Sequence, residues 1–139
     1  MDEIRIDNRK LLNAVRERLI RIAPEGARIE MQDGSLLVGG VGGWVSFGAR
    51  AGLTADAQAL GELLEEWLDF LLSQVQDEFA EMSGEPWPST MRRDRKPGLP
   101  RVGVACRDGL LQGWYGCREN PVMKLDAIAI ADVSDQSSH

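Results

Sequence analysis

Apolar residues recur along this chain at two periods, and the switches between them lay out the elements. Leu11, Leu12, Val15, Leu19 and Ile22 fall on one stripe at helical spacing, with Arg9, Arg16, Glu17 and Arg21 off it. That spacing predicts an amphipathic helix over residues 8–23. Asp7 or Asn8 can cap it by accepting a backbone N–H bond, and Pro24 with Gly26 ends it. The period then drops to two. Ala27, Ile29 and Met31 alternate with Arg28, Glu30 and Gln32, the pattern of a half-buried strand. Asp33-Gly34 is a hairpin-turn pair, because a type I′ turn needs positive φ at both central residues. Residues 35–38 read as the return strand, and residues 44–49 as a third strand after a run of glycines.

The strongest helical pattern covers residues 55–83, with Thr54 as its expected cap. At 1.5 Å per residue it would be about 40 Å long. Leu60, Leu64, Trp67, Leu68, Leu71, Val75 and Phe79 form its stripe together with Leu63 and Met82. Phe70 and Leu72 widen the stripe, which predicts cover on more than one side. Gly84 and Pro86-Trp87-Pro88 stop the helix, and residues 89–100 read as a loop. Residues 101–106 and 110–117 form a second hairpin about Asp108-Gly109, and residues 122–130 a last strand. The order is α-β-β-β-α-β-β-β. It predicts an α+β fold: a mostly antiparallel sheet of five to six strands, with the short N-terminal helix and the long central helix on one face. The other face must be solvated, covered by the Pro/Trp loop, or paired with another chain.

The 139 residues fit one domain, 1–131, followed by a polar tail at 132–139 expected to fray. A charged fraction of 27% and a hydrophobic fraction of 43% suit a globular chain. No apolar run approaches a membrane span, and residues 1–8 lack the apolar core of a signal peptide. Two cysteines are too few for a disulfide scaffold, so the expected location is the cytoplasm. The net charge of −6 opposes binding to nucleic acid or anionic lipid. The charge is unevenly placed. Residues 54–82 hold eight acidic residues and no basic one, whereas residues 92–96 hold four basic and one acidic.

The sole histidine is His139, which leaves no Ser–His–Asp or Cys–His catalysis as ordinarily built and no His-containing zinc site. If Asp108-Gly109 is a two-residue turn, Cys106 faces Leu111 and Cys117 lies about 20 Å further along the hairpin, out of disulfide reach. The glycines at 39–43 lack a Gly-Lys-Ser/Thr ending, and a strand follows them rather than a helix, so they read as a tight strand connection. Glu62 and Glu66, Glu65 and Asp69, and Asp77 and Glu81 stand one helical turn apart, and such pairs can share a divalent cation. Glu62-x-x-Glu65 followed by Glu78-x-x-Glu81 distantly resembles the paired acidic motifs of all-α nucleotide pyrophosphohydrolases of the MazG type. The alternative reading is a metal-dependent phosphohydrolase, the activity that resemblance implies, using the one-turn pairs among Glu62, Glu65, Glu66 and Asp69. A solvated acidic face explains the same charges without metal.

Arg92, Arg93, Arg95 and Lys96 lie near Trp87 in sequence, and basic residues beside an aromatic can hold a nucleic-acid strand. In so acidic a chain, the better reading is a solvated loop or an arm that docks on an acidic protein surface. Trp87, fixed between two prolines, either folds back over the sheet or stands out as a rigid interface anchor. Trp67 reads as core, and Trp44 and Trp114 as packed between helix and sheet. Over residues 8–117 the order of elements resembles the type III secretion chaperones. Those are small acidic α+β proteins that dimerise and hold unfolded partner segments, and no sequence motif adds to the likeness. The expected function is a non-enzymatic protein-interaction module: chaperone-like, adaptor or inhibitor. The expected partner is another protein, with Trp87, Arg92, Arg93, Arg95 and Lys96 as candidate contacts and a homodimer through the central helix. No catalytic residue, metal or cofactor is expected.

Overall fold

The Asp7 side chain accepts the backbone N–H groups of Arg9 and Lys10 at 3.0 and 3.2 Å, and the chain is helical from the next residue on. The chain is seen in a computed structural model that describes residues 4–32, 34–40, 43–48, 54–55, 57–83, 101–116 and 121–134. Its elements, in order, are β1 (Ile4–Arg5), α1 (Asn8–Ile22), β2 (Arg28–Gln32), β3 (Ser35–Gly40), β4 (Gly43–Gly48) and β5 (Thr54–Ala55). Then follow α2 (Ala57–Ser83), β6 (Val102–Arg107), β7 (Leu110–Gly116), β8 (Pro121–Lys124), β9 (Ile128–Ala129) and α3 (Ile130–Val133). The fold class is α+β with antiparallel strand pairing, as the hydrophobic pattern predicts.

Among the described residues the strands are divided between sheets. One sheet has the order β2-β3-β4, another β6-β7-β8 with β9 also on β7, and β1 pairs with β5. Each larger sheet grows from a predicted hairpin. Gln32 pairs with Ser35 across the first turn, and Arg107 pairs with Leu110 across the second. Asp108 and Gly109 have φ of 53° and 76°, the left-handed pair a type I′ turn requires. The glycine run is the expected strand connection: β3 and β4 pair as far as Gly40 with Gly43.

The last predicted strand is two short ones. β9 pairs with the start of β7 at Leu110 and Leu111, and β8 pairs with its end from Trp114 to Gly116. Between them the chain leaves the ladder, and the carbonyls of Asp126 and Ala127 accept hydrogen bonds from Arg18. Residues 132–134, part of the stretch expected to fray, are built into the fold instead. Val133 and Ser134 are buried, and Ser134 bridges to Ile6 beside β1.

A single core joins these parts. Leu11, Leu12, Val15 and Leu19 of α1 meet Leu36 and Val38 of β3, and Leu64, Leu68, Leu71, Val75 and Phe79 of α2 belong to the same cluster. From β7, Leu111 and Tyr115 point inward with Gly113 between them. A Cβ on Gly113 would sit 2.7 Å from Leu72 Cδ1, so glycine is what lets α2 lie close on this sheet. Trp114 alternates to the other face, which corrects its expected place between helix and sheet. Its ring lies over Gly103, its partner in the β6–β7 register, where a Cβ would approach within 2.4 Å. No described helix is long and apolar enough to cross a membrane.

Candidate functional site

The most informative surface of the molecule is built on α2. Its inward face is fully used: Leu60, Leu64, Leu68, Leu71, Leu72 and Phe79 are buried. Phe70 is not. It lies on the opposite side of the helix from Leu68 and Phe79 at 100° per residue, and it is 61% exposed, more than any other large apolar side chain described. Its expected role in widening the buried stripe is therefore corrected. Trp67 is half-buried and packs against the core margin, as does Met82. Around Phe70 the same outward face carries Glu66, Asp77 and Glu81, all exposed. No basic residue occurs anywhere on this helix.

A cavity of about 820 Å³ opens at the N-terminal end of α2. Four segments meet there. The first turns of α2 supply Gly61, Glu62 and Glu65, and the β6–β7 hairpin supplies Cys106 and Asp108. Ile4 of β1 and Ile130 of α3 close the apolar side. Among the described residues β6 is an edge strand of its sheet, and an edge leaves outward N–H groups without a ladder partner. At Cys106 that need is met by Glu65, whose Oε2 accepts the backbone N–H at 2.6 Å. The Cys106 thiol is free and half-buried. Burial pushes its pKa up, and the nearby Glu65 carboxylate pushes it further. The thiol is therefore held neutral, which suits a wall of the cavity better than a nucleophile.

The four acidic residues of the alternative metal reading are split by the fold. Glu62 and Glu65 face the cavity, whereas Glu66 and Asp69 are exposed and do not line it. Among the described residues no group of three or more His, Cys, Asp or Glu side chains is placed to hold a metal ion. Trp87, Arg92, Arg93, Arg95 and Lys96 lie outside the described residues, as do Cys117 and the side chain of Trp44.

Sequence reasoning missed the cavity. Its walls come from residues 4, 58–65, 106–109 and 130–134, and no local motif joins stretches so far apart. The two glutamates were the available signal, but helical spacing alone could not say that Glu65 would turn toward Cys106. The chain matches no family model, and no curated protein and no solved structure is significantly similar to it.

Proposed function

We propose that the chain is a non-enzymatic protein-interaction module of the chaperone-like, adaptor or inhibitor kind, and that the outward face of α2 is where it meets its partner. The observation that carries this reading is Phe70, a large aromatic exposed at the middle of a long helix. Aromatic side chains seated in a partner's pocket supply most of the energy at many interfaces. The surrounding Glu66, Asp77 and Glu81 select the partner's chemistry. They complement an apolar segment that carries lysine or arginine, and they speed its encounter at low salt.

The same charges weigh against the expected homodimer through α2. The apolar stripe that motivated it is buried by the chain's own sheets. Two copies packed through Phe70 would also bring carboxylates against carboxylates without a basic residue on either helix. The partner is therefore a different, basic protein, in the cytoplasm on this reading.

The experiment compares wild type with Phe70→Ser in capture from lysate and in light scattering. A retained protein that is lost with Phe70→Ser, and released as salt rises, supports the reading. A retained set unchanged by the substitution ends it. A wild-type dimer that becomes a 15.3 kDa monomer in Phe70→Ser would replace the basic partner with a second copy.

A further inference from the structure

The cavity beside Cys106 is independent of the Phe70 face, and it has the character of a site for something small. Its volume, about 820 Å³, falls in the range of roughly 300–1,000 Å³ typical of small-ligand pockets. Such pockets combine apolar walls with a few placed polar groups. Here Ile4, Gly61 and Ile130 supply apolar wall, and the charged groups are Glu62, Glu65 and Asp108. None of the described lining residues is basic. The nearest arginines in sequence, Arg5 and Arg107, are exposed and do not line it.

We propose that this cavity binds a small organic cation: a primary ammonium group on an apolar stem. Three carboxylates from two separate elements surround one space, so the charge it attracts is positive. The partial positive charge of the α2 N-terminus, about half an elementary charge, offsets only a fraction of them. The carboxylates do not converge as metal ligands do. They are spread around a volume many times that of an ion, which an ammonium with an apolar body fills and a bare metal does not. Glu65 is already fixed by the Cys106 N–H at 2.6 Å, so it is held in place before any ligand arrives. A carboxylate offers about four lone-pair positions, and one bond to the backbone leaves it able to accept from an ammonium. Burial is the larger cause of the raised Cys106 thiol, and the Glu65 charge adds to it; only that second contribution favours a cation.

Hexylammonium chloride is the probe, with hexanoate and 1-hexanol as controls of equal stem length. Two readouts are taken on the full chain. One is isothermal titration calorimetry. The other is the rate at which iodoacetamide labels Cys106, followed at the level of the Cys106 peptide, since an occupant would cover that thiol. Hexylammonium is expected to bind and to slow labelling several-fold, whereas hexanoate and hexanol do neither. Glu62→Gln is the test variant, because Glu62 is exposed and its loss leaves the Glu65–Cys106 bond in place. It is expected to weaken binding about tenfold, the scale of one charge-assisted hydrogen bond. Failure of hexylammonium to bind or to protect Cys106 overturns the proposal. So does equal protection by hexanol, which would mean an apolar hollow without charge selection, and so does unchanged affinity in Glu62→Gln.

Discussion

The hydroxyl of Tyr115 donates to the backbone carbonyl of Leu72 at 2.9 Å, inside the core and across 43 residues. It joins the end of β7 to the middle of α2, the two elements that Gly113 brings into close contact. A carbonyl in mid-helix already accepts from the N–H four residues on, so the phenol occupies its second lone pair. Tyr115→Phe therefore removes a bond without orphaning the acceptor. The expected loss is about 1 kcal/mol in urea unfolding, the net worth of one such bond.

The same phenol makes stability fall at high pH. Burial pushes the Tyr115 pKa far above its ordinary range. In the unfolded chain it ionises near pH 10. Above that pH the folded state holds a proton that the unfolded state has lost, so stability falls by up to about 1.4 kcal/mol per pH unit. Below it the group contributes no pH dependence. Tyr115→Phe lacks this loss, so the advantage of the wild type should shrink above pH 10 and vanish near pH 11. Tyr115 is the only tyrosine, so the phenolate band that grows at 295 nm is its own once the contribution of the four tryptophans is subtracted with Tyr115→Phe as the blank. The phenolate signal should appear with unfolding and not before.

Gly103→Ala tests how closely β6 and the Trp114 ring approach. The added Cβ would lie 2.4 Å from ring atoms Cε2 and Nε1. The ring must move off its strand, and overpacking of this kind costs about 1–3 kcal/mol. Gly109, in the turn of the same hairpin, has no atom within 4 Å of its would-be Cβ, but its φ of 76° makes alanine strained there. The two substitutions should therefore differ in kind. Gly103→Ala should shift tryptophan emission in the folded state, and Gly109→Ala should lower stability with the emission unchanged.

Cys106 should behave as a slow thiol. Only the thiolate reacts with iodoacetamide, and burial followed by the Glu65 charge holds the thiol protonated. Its labelling rate at pH 8 should fall below that of a free cysteine and rise along a curve displaced to higher pH. Glu65→Gln removes the charge while its amide oxygen can still accept the Cys106 N–H. The curve should then move part of the way back, because the burial contribution stays. An unchanged curve in Glu65→Gln would mean that the carboxylate does not reach the thiol.

The elements were legible because each carries its own signal. The 3.6-residue stripes of α1 and α2 and the two Asp-Gly turns are local patterns, and Gln32–Ser35 and Arg107–Leu110 pair as those turns dictate. What was not legible depends on distant residues. Phe70 has the same chemistry as a core residue, and only the sheets' position on the helix leaves it outside. β1 and β5 are two residues each, too short to show a period, and they exist because each completes the other. The cavity is harder still, since Glu65 becomes a wall group only when β6 presents an unpaired N–H beside it.

Arg18 and Arg21, one turn apart on α1, both reach the stretch between β8 and β9, and their worth should differ sharply. Arg21 makes the ion pair that would be noticed first, with its Nη1 at 2.6 Å from Asp126 Oδ2. Both side chains are about two-thirds exposed, at 67% and 64%. Exposed pairs gain little in water and lose side-chain freedom, so Arg21→Ala should cost no more than about 0.5 kcal/mol, and less at high salt. Among the described residues Arg18 has no carboxylate partner. Its guanidinium instead donates to the carbonyls of Asp126 at 2.8 Å, Ala127 at 3.0 Å and Ala14 at 2.9 Å. Two of these acceptors belong to the residues where the chain has left the β7 ladder, so Arg18 replaces partners that the sheet does not supply. Hydrogen bonds from a charged donor are worth about 1.5–3 kcal/mol where water is excluded. Arg18→Ala should therefore cost about 1–2 kcal/mol, allowing for the partial exposure of the site, and should speed hydrogen exchange at β9 and α3. Urea unfolding of the two variants at low and high salt decides it: if Arg21→Ala proves the more damaging, the exposed ion pair and not the carbonyl clamp holds this segment to α1.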